Sequence, residues 1–356
     1  MSEHKYKFDW SFSDTTFTKD KGQVFSCFAC GGGSTMGYKL AGFDVIGCNE
    51  IDYRMMKVYR ENHSPKYSFL EPIQEFKNKE VYPDELYNLD ILDGSPPCSS
   101  FSTAGSRGKS WGKAKHFREG QAQQVLDTLF FDFIDLAKRL QPKVVVAENV
   151  KGLLLGDAIQ YVHRIYEEFR AAGYYCRHWL LDAQKMGVPQ RRQRVFFVCL
   201  RKDLASPFLK RTGLFDESLR LDLNFDEELI PFGHVVDYSG REITSPKMRA
   251  RWERRQENDT SFSDASLRMC GKKIAFNTRF AHNEGICPCL TGKEDCVALY
   301  DKPKYLGASE VCKVATFPQD YDFAGQPPHY ICGMSVPPVM MAQIASQIYL
   351  QWLSKI

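Results

Sequence analysis

The chain has 356 residues, 43% hydrophobic and 26% charged, enough to bury a substantial core and to divide into two domains. Its net charge of +3 is too small to identify a nucleic-acid binder without the distribution of the basic groups. No run approaches a membrane span, the first residues lack the apolar stretch of a secretory signal, and 12 cysteines are thinly spread, so the expectation is a soluble chain with nearly all its thiols reduced.

From residue 24 to 200, short apolar runs alternate with helical patterns, the signature of a parallel sheet covered by helices on both faces. Strands are expected at residues 24–28, 43–48, 89–93, 143–147 and 195–200, and a helix at 125–140. Residues 99–120, rich in Gly, Ser and Lys, read as a long mobile loop. Beyond residue 200 the alternation stops. Residues 215–229 carry six acidic groups against Arg220 alone, and residues 245–280 carry nine Lys or Arg against four acids. A domain boundary near residue 202 follows. A final apolar helix at 339–353 suits packing on the first domain, so the second domain is expected to be an insertion.

Phe28, Ala29, Cys30, Gly31, Gly32 and Gly33 follow the first strand and open a helix, where small residues let a ligand approach the backbone. Glu50 ends the second strand, seventeen residues after Gly33. An acid at that place in a dinucleotide-type fold bonds both ribose hydroxyls, so the ligand should contain a nucleoside. A nicotinamide cofactor would satisfy these two features as well.

Asp93-Gly94-Ser95-Pro96-Pro97-Cys98 sets a cysteine after a strand and two prolines that fix the backbone and aim the thiol. A lone cysteine is as a rule a small buried hydrophobe. Here it falls at the carboxyl edge of the sheet, where ligands bind, and Glu148 reaches the same edge at the end of the 143–150 run. A thiol beside a carboxylate and a nucleoside pocket suits acid chemistry on a heterocycle. Arg192 and Arg194 precede and open the strand at 195–200, and a period of two would point both to one side. The oxidoreductase alternative leaves Cys98, Glu148 and Arg194 without a task. A zinc site at Cys270, Cys287, Cys289 and Cys296 lacks paired spacing, so no metal is expected.

These motifs, in this order, resemble the DNA cytosine methyltransferases acting on carbon 5, of bacterial restriction-modification or orphan type. The resemblance rests on Phe28 to Gly33, Glu50, Pro97-Cys98 with Phe101-Ser102, Glu148-Asn149-Val150, and Gln190, Arg192 and Arg194. It extends to Glu310 with Phe317-Pro318 and Tyr321, and to Gly333, Ser335, Val336 and Pro337-Pro338. Cys30, Ser99, Lys313 and Met334 stand where Gly, Gln, Arg and Asn are usual, and Pro72 where an aspartate commonly reads the adenine amino group.

The resemblance implies a Rossmann-like α/β domain with a mixed, mostly parallel sheet and a smaller inserted target-recognition domain. It implies S-adenosylmethionine as cofactor and S-adenosylhomocysteine as product. Catalytic roles fall to Cys98, which adds to carbon 6 of a flipped cytosine, to Glu148, which holds N3 and the exocyclic amine, and to Arg192 and Arg194, the latter on O2. Phe28, Ala29, Cys30, Gly32, Gly33, Glu50, Ile51, Ile73, Ser95, Pro97, Leu129, Ser335 and Val336 are the expected cofactor contacts. Ser99, Ser100, Arg107, Lys113, Lys115, Arg118, Arg249, Arg251, Arg254 and Arg255 are the expected DNA contacts, several of them on a loop placed to close over an extruded base.

The expected organisation is a catalytic domain at 1–202, a recognition domain at 203–306 and a returning segment at 307–356. The expected partner is double-stranded DNA, with a cognate restriction endonuclease acting separately, a monomeric chain, no membrane, and residence in the cytoplasm at the nucleoid. Two alternatives stay open on sequence, a cytosine methyltransferase acting on RNA and a non-catalytic DNA-binding relative.

Overall fold

A computed structural model describes residues 4–97, 128–156, 158–211, 217–273 and 278–356. The chain falls into two compact units. The first comprises Phe17–Leu181, Gln193–Asn224 and Ala342–Ile356 and is built on a seven-stranded sheet. Its strands are β1 (Gln23–Cys27), β2 (Asp44–Glu50), β3 (Tyr67–Leu70), β4 (Ile91–Gly94), β5 (Val144–Val150), β6 (Tyr174–Asp182) and β7 (Gln193–Arg201), in the order β3-β2-β1-β4-β5-β7-β6. Pairing is parallel from β3 through β5, and β7 runs antiparallel to β5. The order reverses direction between β1 and β4, which opens a crevice beyond their carboxyl ends.

Central strands of such a sheet are covered on both faces and read as unbroken apolar runs. Val144, Val145, Val146 and Ala147 of β5 are all fully buried for this reason. The covering helices are α1 (Gly33–Leu40), α2 (Tyr53–His63), α3 (Ile73–Phe76), α4 (Leu129–Leu140), α5 (Ala158–Ala171) and α6 (Lys202–Ala205). In α4 the residues Leu129, Phe130, Phe133, Ile134, Ala137 and Leu140 recur at helical spacing and enter one core with Phe25, Phe76, Phe169 and Phe197. The helix stops at Gln141, which turns left-handed with φ 51°.

β3 and β6 escape the sequence reading because they edge the sheet and are only partly buried, so neither carries a continuous apolar run. A two-stranded antiparallel ribbon, β8 (Leu209–Arg211) and β9 (Glu217–Leu219), also belongs to the first unit. The expected boundary near residue 202 therefore falls within it. Trp352 Nε1 donates to the Arg220 carbonyl at 2.8 Å and Asp222 N to Gln351 Oε1 at 2.8 Å, tying this stretch to the chain's end.

The second unit comprises Met1–Thr16, Asp182–Arg192 and Phe225–Met341. It contains α7 (Pro246–Glu253), α8 (Phe262–Cys270), a parallel pair β10 (Arg279–Ala281) and β11 (Val297–Leu299), α9 (Ala308–Ala315) and α10 (Pro328–Met334). A small core of Ile243, Trp252, Phe262, Phe280, Ala298 and Tyr305 holds it together. The last helix, α11 (Pro338–Gln351), starts with residues of the second unit and continues with residues of the first. Cys176 of β6 and Cys199 of β7 are joined in a disulfide, and the other described cysteines are free thiols. No helix among the described residues is long and apolar enough to cross a membrane.

Candidate functional site

β1 leads into a turn in which Phe28, Cys30 and Gly32 take left-handed φ values of 53°, 48° and 83°, and α1 then begins at Gly33. Gly32 N donates to the Ala29 carbonyl at 2.8 Å and Cys30 N to Glu50 Oε2 at 2.7 Å. Glu50, the last residue of β2, is buried, and its Oε1 accepts from Ile51 N at 2.8 Å and Asp52 N at 2.9 Å. Burial pushes its carboxyl above the usual range, against the pull of these three donors. An ionised carboxylate offers about four acceptor positions, so one remains, on Oε2.

Ala29 and Gly33 are buried, and Phe28, Ile51, Ser95 and Pro97 are half-buried. Ile73 and Leu129 are 2% and 0% exposed and belong to the same core cluster as Phe25, Phe76 and Phe133.

Paired residues on neighbouring strands share a face, and alternate residues repeat it. Asp93 pairs with Val146, Glu148 lies two residues further on β5, and Glu148 pairs with Phe196, two residues from Arg194. These three charged side chains therefore share one face of the sheet. Arg194 Nε meets Glu148 Oε1 at 2.9 Å, with both side chains largely buried, and Arg194 Nη1 donates to the Gln193 carbonyl at 2.8 Å. Asp93 accepts from Ser26 Oγ at 2.8 Å and Tyr38 OH at 3.2 Å. Burial pushes its carboxyl up to about 7, against both hydrogen bonds, and the charge of Glu148 adds to the rise.

Asn149, next to Glu148, is buried and donates from Nδ2 to the Pro96 carbonyl at 3.2 Å, while its Oδ1 accepts from Val150 N at 2.9 Å. It thus holds the backbone two residues before Cys98. An amide directly after Glu148 is the sequence signal for this role of Asn149. Cys98, Ser99, Ser100, Arg107, Lys113, Lys115 and Arg118 lie outside the described residues.

Arg192 corrects the expected arginine pair. The strand starts only at Gln193, so the period of two does not reach back to residue 192. Arg192 is 2% exposed and belongs to the second unit, where Nη1 donates to the Gly333 carbonyl at 3.2 Å and Nη2 to the Ser335 carbonyl at 2.8 Å. Its neighbour Gln190 donates to the Val314 carbonyl at 3.1 Å and accepts from Leu290 N at 3.2 Å. Glu310 is fully buried and accepts from Gly307, Asp237 and Tyr238 backbone N–H groups. Val336 is buried, and Ser335 Oγ is buried without a hydrogen-bond partner among the described residues, a hydroxyl that a polar ligand atom would satisfy. Within the first unit, the left-handed glycine turn and the remaining acceptor of Glu50 fit a nucleoside-bearing cofactor.

The expected DNA-reading arginines divide. Arg255 packs 3.4 Å over the Trp252 ring and donates to the Tyr300 and Trp252 carbonyls, so it is committed to the small core. Arg249 pairs with Glu253 at 3.1 Å and lies 3.8 Å from Glu242. Arg251 is half-buried, donating to the Lys247 carbonyl, and Arg254 is exposed just beyond α7.

A family model described as C-5 cytosine-specific DNA methylase matches residues 22–350. Type II methyltransferase M.Eco47II of Escherichia coli is 33% identical over 343 residues, covering 91% of this chain and 77% of that one. M.FnuDI of Fusobacterium nucleatum is 37% identical over 183 residues, 51% of this chain and 48% of that one, so the chain spans about half the length of this relative. M.NgoPII of Neisseria gonorrhoeae is matched over 52% of its length at 34% identity. Among solved structures, a Spodoptera frugiperda DNMT2 mutant shares the fold with TM-score 0.62 at 16% identity, over 94% of this chain and 99% of that one.

Proposed function

Because the chain belongs to the C-5 cytosine-specific DNA methylase family, we propose that it methylates carbon 5 of a flipped-out cytosine within a specific sequence of double-stranded DNA. The observation that carries this reading is the Glu148–Arg194 ion pair at the carboxyl edge, beside an asparagine that fixes the backbone leading to Cys98. S-adenosylmethionine supplies the methyl group from its sulfonium sulfur and leaves as S-adenosylhomocysteine. The glycine turn and Glu50 hold its nucleoside, and Ser335 and Val336 are assigned to it as well.

Cys98, as thiolate, adds to carbon 6 of the cytosine. Glu148 holds N3 and the exocyclic amine, Arg194 orients Glu148 and takes O2, and carbon 5 becomes the nucleophile. After methylation the carbon 5 proton leaves to a base and the Cys98–carbon 6 bond breaks, restoring the thiolate. The base must leave the stack first, which costs a few kcal/mol, and residues 99–120 are assigned to closing over it. Of residues 203–306, the part in the second unit, 225–306, is assigned to target choice. The chain acts as a monomer in the cytoplasm at the nucleoid, and a cognate endonuclease acts separately.

Incubating the purified chain with duplex DNA and methyl-labelled cofactor tests this. Label should appear as 5-methylcytosine and vanish in Cys98→Ser, since an alcohol is a far weaker nucleophile than a thiolate. Label on RNA but not on DNA would contradict the substrate, and an active Cys98→Ser would contradict the nucleophile.

A further inference from the structure

His63 closes α2 and is buried against α1. Its Nε2 lies 3.3 Å from the carbonyl of Gly31, inside the glycine turn. Lys39 Nζ lies 3.4 Å from Nδ1, and a lysine only donates, so Nδ1 accepts and the ring proton sits on Nε2, facing Gly31. The approach is close. A Cβ on Gly32 would fall 2.1 Å from His63 Nε2, so the second glycine of the run is required by this imidazole as well as by its φ of 83°. One helical turn earlier, Tyr59 packs edge-on to His63 at 4.6 Å and its hydroxyl meets Thr35 Oγ1 of α1 at 2.8 Å. The Tyr59–His63 face thus grips α1 at the turn and again within the helix.

We infer that His63 is a positioning residue for cofactor binding, its Nε2–H holding the Gly31 carbonyl so that the turn keeps the shape the nucleoside requires. The inference rests on the functional reading above. His63 itself touches neither the cofactor nor the base, so its loss acts on cofactor affinity and not on the chemical step.

Two substitutions separate the hydrogen bond from mere packing. In His63→Gln the amide nitrogen has the same reach from the backbone as Nε2 and still donates, whereas His63→Phe keeps a ring against Tyr59 and Gly32 but donates nothing. Calorimetric titration with S-adenosylmethionine should give His63→Gln a Kd within about twofold of the parent and His63→Phe one about tenfold weaker, the scale of one buried hydrogen bond. Turnover at saturating cofactor should change by less than about twofold in both. Thermal melting checks folding; should His63→Phe not fold, His63→Asn, whose amide stops short of Gly31, replaces it. Equal affinity in all proteins, equal weakening in both variants, or weakening confined to His63→Gln would overturn the inference. A parent that binds no S-adenosylmethionine would contradict the functional reading and take this inference with it.

Discussion

Cys30 occupies a place where glycine is the residue of least strain, with φ 48° in the left-handed region and its sulfur 3.7 Å from Met55. A Cβ there costs about 1 kcal/mol, so Cys30→Gly should raise stability by about that amount and lift the melting temperature, and a lowered midpoint would show that the Met55 contact dominates. Asp93 offers a second test, with pH as the variable. Its carboxyl is held up to about 7 when folded, chiefly by burial, against a value near 4 when unfolded. The folded state therefore keeps a proton that the unfolded state releases. The resulting stabilisation is complete below about pH 4 and is lost as pH rises to about 7. Asp93→Asn cannot ionise, so its stability relative to the parent should improve between pH 5 and pH 8 in urea unfolding. Parallel curves would contradict the assignment.

β5 places two side chains of opposite purpose next to each other, Glu148 toward the charged face and Asn149 toward the Pro96 carbonyl. Asn149→Ala should lower turnover by about ten- to a hundredfold through misplacement of the nucleophile, with cofactor Kd unchanged, as single-turnover kinetics and calorimetry would report. Unchanged turnover would show that the Pro96 contact positions nothing. Glu50, at the end of β2, and Glu148, two residues before the end of β5, are legible in the sequence because apolar runs announce central strands, whose carboxyl ends share one edge. Edge strands β3 and β6 carry no such run. Arg192 is misread because a strand period is extended one residue ahead of the strand. Arg255 is misread because composition cannot separate a cation facing solvent from one stacked on Trp252. His63 gives no sign at all in sequence, since its partner Gly31 lies in the preceding helix–turn segment and only the packing of α2 against α1 joins them.

The two units divide the labour by chain segment. The sheet unit carries the glycine turn, Glu50, Glu148 and Arg194, and the second unit carries the basic helix α7, the Arg192 network and Ser335. Base-reading side chains discriminate by about 1 to 3 kcal/mol per good bidentate pair, whereas phosphate contacts act at every sequence. Exchanging residues 225–306 for the equivalent part of a relative should therefore transfer the relative's target. Methylome sequencing that still finds the parental target in an active chimera would place sequence reading elsewhere. The bond from Cys98 to carbon 6 is the central step of the proposed reaction. Duplex DNA carrying 5-fluorocytosine at the target cannot lose its carbon 5 substituent as a proton, so elimination is blocked after methyl transfer. With S-adenosylmethionine present, the parent chain should form a DNA adduct that survives denaturing electrophoresis, and peptide mapping should locate the DNA on Cys98. An active enzyme that forms no adduct, or one joined through another residue, would contradict the mechanism.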